Sequence, residues 1–258
     1  MSQIWRNAPV KENYDPTSFF EFLKYRPANL PYFCPDQKGL TVFCRGRREQ
    51  LEEILEPTPF ELVDDRFAVV VTDFRNNSSY PYHDAGILLA VRFGDTVGGS
   101  FLFEFEDQHF TVASGREKWG YPKVYAHAGL DADDTTARGR VFLGDDVHLD
   151  ISVDLTAEAD PSAWQGLALY PHLQIRAVPE FDGPGFESFQ VLSRDTSADY
   201  TLTSRHIGPA TVELGDAVSF RGKRLDVLEV LGGEYKVGDF AATEENTKPT
   251  LLADLARV

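Results

Sequence analysis

The chain has 258 residues, with 25 Lys+Arg against 41 Asp+Glu and a formal net charge of −16. So acidic a molecule repels phosphate backbones and anionic lipid headgroups, and no run of lysine and arginine is long enough to reverse this locally, which argues against nucleic acid and membrane surfaces as partners. With 42% hydrophobic and 12% aromatic residues the chain can bury a substantial core, and its length suits one large domain.

Two cysteines, Cys34 and Cys44, cannot build a disulfide framework, and no Cys/His spacing suggests a metal site. A reduced, cytoplasmic setting is expected. Residues 1–14 contain no apolar segment, and no run of about 18 apolar residues occurs, so neither secretion nor membrane insertion is signalled.

In chain order, a short helix is expected at 17–24 and a strand at 40–45. A better helix follows at 47–55, with Leu51, Ile54 and Leu55 at helical spacing and Pro57 beyond it. Strands are predicted at 67–74, 86–93, 101–106 and 110–113, the first two with near-continuous apolar character that implies burial on both faces. The pattern continues at 124–130, 137–143 and 147–155, the last with good apolar/polar alternation, and then at 173–178, 187–194, 198–202 and 211–214. Residues 244–258 read as a frayed tail or a short helix used in assembly. Short strands separated by Gly, Pro, Asp and Asn, with no repeat and no linker, predict one mainly β domain over residues 1–258, with few helices and a closed or stacked sheet.

Chemistry concentrates in Ser114-Gly115-Arg116-Glu117-Lys118-Trp119-Gly120-Tyr121-Pro122-Lys123-Val124. Two glycines and a proline deliver Lys123 among Tyr121, Pro122, Val124 and Tyr125. Apolar surroundings penalise the ammonium and lower its pKa, so the free amine becomes available to attack a ketone. The resulting protonated imine is an electron sink that makes decarboxylation, retro-aldol cleavage and aldol addition accessible. The plainer reading is a surface lysine after a turn.

Gly115-Arg116-Glu117 followed by Gly120-Tyr121-Pro122-Lys123 resembles the active-site signature of the acetoacetate decarboxylase family, whose lysine after Tyr-Pro forms the Schiff base. The resemblance extends to Leu173-Gln174-Ile175 with Pro179-Glu180-Phe181-Asp182-Gly183, to Gly208-Pro209-Ala210, and to the segment 51–62. It implies a closed antiparallel β-barrel or cone, a homo-oligomer, no cofactor, and Lys123 as the nucleophile toward a small keto acid. It also departs from the family. The second lysine expected after the nucleophile is Val124, the family's N-terminal arginine falls on Gln37, and its two pocket glutamates fall on Ala68 and Asp84.

Those departures weaken the positioning of a leaving carboxylate. They shift the expectation toward aldol condensation of pyruvate with an aldehyde and dehydration of the adduct, ahead of decarboxylation, with a non-catalytic small-ligand-binding barrel as the rival. Proton transfer would fall to Tyr82, Asp84 or Glu117. Arg116, Trp119 and Gln37 are the candidate substrate-binding residues. Each has a plainer role: packing for Tyr82 and Trp119, a turn for Asp84, and a loop-fixing pair for Arg116 and Glu117. An anionic substrate must overcome the net charge, and Arg116, Lys118 and Lys123 on one loop are the expected source of positive potential.

Overall fold

The computed structural model describes residues 31–256 apart from 217, 221 and 244; the helix expected at 17–24 lies outside them. Ten strands form one large sheet. They are β1 (Tyr32–Arg45), β2 (Glu61–Asp73), β3 (His83–Phe93), β4 (Thr96–Glu106), β5 (Lys123–Tyr125), β9 (His172–Pro179), β10 (Phe186–Arg194), β11 (Tyr200–Gly208), β15 (Glu229–Ala242) and β16 (Thr250–Asp254). Their order is β11-β15-β1-β2-β3-β4-β9-β10-β16, with β5 paired to β4. A second sheet orders β12 (Ala210–Leu214), β8 (Asp146–Asp154), β7 (Thr136–Leu143) and β6 (His127–Ala132), and β13 (Ser219–Phe220) and β14 (Lys223–Arg224) make a hairpin.

The near-continuous apolar character of β2 and β3 has the expected cause, because both faces of the large sheet are covered. Leu40, Val42, Phe67, Val69, Val71, Ile87 and Leu89 point to the second sheet and meet Leu130, Val141, Leu149, Ile151 and Val153 in the main core. Gly139 lets the sheets approach: a Cβ there would lie 2.7 Å from the Val71 side chain. The residues between them point the other way, where Phe43, Ala68 and Leu88 pack on Trp164 and leave a cavity beside them. One face therefore stabilises the molecule and the other holds the site.

Several expectations are corrected. The sheet is not closed: β11 and β16 end the strand path, and the last described segment, expected as a tail or helix, pairs as β16 with β10. Nor is the sheet wholly antiparallel, since β4 pairs in parallel with β5 over Glu104–Glu106 and touches β9 at the single pair Gly99↔His172. The strand expected at 110–113 is instead a helical turn. Here α1 is Arg48–Leu55 and α2 is His109–Ser114, capped by the Gln108 side chain, which accepts from Phe110 N–H. The cap and packing outweigh the β preference of Thr111 and Val112. The long β15 escaped the sequence reading because Gly232, Gly233 and Gly238 look like turns.

Candidate active site

The face of the large sheet away from the main core carries a cavity of about 350 Å³. Strand periodicity assembles its reactive corner. Glu104 and Glu106 are two apart on β4 and so share a face. Register places Asp84 of β3 opposite Glu106, and Lys123 of β5 opposite Glu104. The Lys123 amine lies 2.9 Å from Asp84 Oδ2 and 3.2 Å from both Glu104 Oε1 and Glu106 Oε1.

The loop before Lys123 is built to aim it. α2 runs into a π-helical turn, Gly115–Trp119, which stops at Gly120 in the left-handed region at φ 75°. No side chain fits at Gly120, since a Cβ would lie 2.6 Å from the Ile175 carbonyl. Tyr121 N–H donates to Gly115 C=O, and Glu104 N–H donates to Pro122 C=O, which docks the Tyr-Pro-Lys segment on β4. Gly115 itself leaves room for the lysine stem: a Cβ there would sit 2.5 Å from Lys123 Cε.

The electrostatics differ from the expectation of an apolar nest. Burial is the largest single influence on Lys123 and acts to lower its pKa, but Asp84, Glu104 and Glu106 together outweigh it and hold the ammonium well above the usual lysine value. Burial also pushes the acids up. Glu104 is raised well above the usual carboxyl range by desolvation and by Asp84, and Glu106 is raised to about 8 by desolvation, against the pull of Lys123. Desolvation thus favours the protonated form of both glutamic acids, while the Lys123 ammonium opposes it. Low polarity penalises ammonium–carboxylate pairs as a whole, so the neutral pair of amine and carboxylic acid lies nearer in energy than it would in water. A proton passed from Lys123 to a carboxylate within 3.2 Å frees the lone pair without leaving the site.

Around this corner stand aromatic and polar walls. The Lys123 amine lies 5.5 Å from the Tyr121 ring centroid. The Tyr121 hydroxyl lies 2.9 Å from His172 Nδ1. Burial pushes that phenol to about 12 and drops His172 to about 3, so the hydroxyl donates and the imidazole accepts in its neutral form. Tyr82 stacks on Phe74 at 4.6 Å, and burial lifts its hydroxyl well above the usual phenol value.

Of the residues proposed from sequence, Lys123, Asp84, Tyr82, Trp119 and Gln37 line this cavity. Trp119 is anchored by its indole N–H to Thr247 C=O at 2.8 Å. Arg116 and Glu117 are exposed and do not line it, because the π-helical turn carries them outward. Ala68 packs with Trp164 rather than facing the amine. Sequence reasoning missed Glu104, Glu106, His172 and Arg194, and took Tyr121 only as an apolar neighbour. The alternation Phe103-Glu104-Phe105-Glu106 was the available signal, but it also fits a solvent-facing glutamate row.

Known proteins resemble the chain in sequence and fold. The family model described as Acetoacetate decarboxylase (ADC) matches residues 12–248. An acetoacetate decarboxylase of Burkholderia ambifaria is 24% identical over 217 residues, covering 81% of this chain and 85% of that protein. The structure of acetoacetate decarboxylase from Legionella pneumophila superposes with a TM-score of 0.73 at 20% identity, over 87% of this chain and 88% of that one. The enduracididine biosynthesis enzyme MppR, complexed with the condensation product of pyruvate and imidazole 4-carboxaldehyde, superposes with a TM-score of 0.68 at 18% identity, over 87% and 90%. With nearly its whole length matched by the family model, and with a mainly β fold shared with these enzymes, the chain belongs to the acetoacetate decarboxylase family.

Proposed function

We propose that the protein is a lysine-imine lyase of small keto acids that joins pyruvate to an aldehyde and dehydrates the adduct, or runs the reverse. The observation that carries this reading is the Lys123 amine enclosed with three carboxylates at 2.9, 3.2 and 3.2 Å. The free amine adds to the pyruvate carbonyl, and loss of water gives the imine. A carboxylate then removes a methyl proton to form the enamine, whose carbon attacks the aldehyde while a carboxylic acid protonates the aldehyde oxygen. Removal of a second proton from that carbon expels the protonated hydroxyl as water, and hydrolysis of the conjugated imine releases an unsaturated keto acid and restores the amine.

Such a sequence requires acids and bases at more than one point. Glu104 and Glu106, whose protonated forms are favoured by desolvation and which lie 3.2 Å from the Lys123 amine, suit the donor steps, and Asp84 and the Tyr82 hydroxyl are the further candidates. A volume of about 350 Å³ is within the range that encloses small ligands. MppR, of the same fold, is seen with a pyruvate condensation product.

Decarboxylation of a 3-keto acid is the second reading, favoured by relatives named acetoacetate decarboxylase and by the three carboxylates, which would destabilise a substrate carboxylate placed beside them. Incubation with pyruvate or acetoacetate and borohydride, followed by mass spectrometry, should place the adduct on Lys123 and lose it in Lys123→Ala. Absence of any adduct with either keto acid rejects both versions and leaves a binding barrel. Carbon dioxide release, set against consumption of pyruvate plus an aromatic aldehyde, separates the two reactions.

A further inference from the structure

The cavity has a second cationic pole that the chemistry above does not use. Arg194 is the last residue of β10, in register with His172 of β9. Its guanidinium carbon lies 4.5 Å from the Trp119 ring centroid, and it interacts through side-chain hydrogen bonds with the hydroxyls of Tyr32 and Tyr121. In a chain of net charge −16, Arg194 makes no carboxylate salt bridge among the described residues, although its Nε is shielded from solvent and has no hydrogen-bond partner. A half-buried guanidinium with aromatic neighbours and no carboxylate partner among the described residues is costly, and a planar oxyanion meeting its fork would reduce that cost.

The three cations that line the cavity differ in kind. Lys123 is already engaged by three carboxylates, and Lys236 of β15 lies 4.9 Å from the Tyr200 ring centroid. Tyr121 links the two poles, with the Lys123 amine against its ring and Arg194 at its hydroxyl end. A keto acid whose carboxylate faced the Lys123 cluster would meet Asp84, Glu104 and Glu106, whereas the opposite orientation gives its carboxylate Arg194 and leaves its carbonyl at the amine.

We propose that Arg194 holds the substrate carboxylate, so that Lys123 and Arg194 form a two-point site selecting small keto acids over neutral ketones. This rests on the lysine-imine reading for its catalytic consequence. The anion site can also be measured without that chemistry.

The test compares wild type with Arg194→Gln and Arg194→Lys. Borohydride trapping on Lys123 is followed with pyruvate and with 2-butanone, an uncharged ketone of similar size. Calorimetry follows lactate, which bears the carboxylate but cannot form an imine. In Arg194→Gln the half-saturating pyruvate concentration should rise at least about tenfold and lactate binding should weaken by a similar factor, as expected when a charged hydrogen-bond donor is removed, with trapping of 2-butanone within about twofold of wild type. Arg194→Lys, which keeps a cation over Trp119 and so preserves the packing, should recover part of the pyruvate and lactate affinity. Equal loss with pyruvate and 2-butanone, or unchanged lactate binding in Arg194→Gln, overturns the proposal. No adduct in wild type with either ketone, together with lactate binding that depends on Arg194, would reject the lysine chemistry and keep the anion site.

Discussion

Gly115→Ala isolates the aim of the nucleophile from the stability of the fold. Gly115 has φ −62° and ψ −45°, ordinary helical values, so alanine is unstrained there and gains up to about 1 kcal/mol of helix propensity. The new methyl meets the lysine stem instead, 2.5 Å from Lys123 Cε, where ordinary contact starts at 3.4 Å. The stem must retreat by about 0.9 Å, which carries the amine away from carboxylates at 2.9 and 3.2 Å and out of good hydrogen-bond geometry. A displacement of this size at a reacting atom costs on the order of 100-fold in rate. Crowding of the buried stem costs roughly 1–3 kcal/mol, partly offset by the propensity gain. The expected result is a melting temperature within a few degrees of wild type, with borohydride trapping of pyruvate on Lys123 slowed about 100-fold. Trapping at the wild-type rate in a folded Gly115→Ala protein would show that the stem yields without moving the amine, and would refute the argument that the loop aims it.

Four further variants probe the same structure. If Glu106 acts as a proton donor, activity should fall as pH rises through about 8, and Glu106→Gln should lower the rate and remove that alkaline limb from the pH profile. Because its native pKa lies above the ordinary 4.5, the native state binds the proton more tightly than the unfolded chain. Its stabilising contribution is therefore full below pH 4.5 and is lost as pH rises through about 8, a slope that denaturant titration of Glu106→Gln should flatten. His172 runs the other way: with its pKa depressed from 6.5 to about 3, stability should decline as pH falls below 6.5, and His172→Phe should lessen that decline in acid melts. Gly120→Ala forces a left-handed residue with no space for its methyl and should lower the melting temperature markedly, unlike Gly115→Ala. Phe67→Ala, at a fully buried position of β2, should cost about 3–5 kcal/mol by denaturant titration without changing the pH profile.

The acidic character of the chain is handled locally. The positive potential expected from Arg116, Lys118 and Lys123 on one loop is not what the cavity has, because Arg116 faces outward and Lys123 is more than matched by carboxylates. The guanidinium with no carboxylate salt bridge among the described residues comes from Arg194, 71 residues further along the chain from Lys123.

How much was legible depended on the range of the interaction. Strand positions from β1 to β4 and from β6 to β10 followed from apolar periodicity, because each strand buries its own side chains whatever its partner. Lys123 stood out because its loop chemistry is contiguous: glycines that permit the turn, then Tyr-Pro-Lys. Asp84 and Tyr82 were reachable through the resemblance. Glu104 and Glu106 were not, since an alternating strand shows which residues share a face but not whether that face meets water or a cavity.

The sequence by itself determined a mainly β molecule with a lysine delivered by a glycine-bounded turn, since both are local consequences of residue order. Tertiary structure alone decided that three carboxylates surround that lysine and raise its pKa where apolar neighbours were expected to lower it. It also decided that the sheet stays open at β11 and β16 and that Arg194 reaches the same cavity. Each of these depends on strand pairing between distant segments, and in a low-polarity cavity a neighbour 3 Å away outweighs the chemical character of the residues next in sequence.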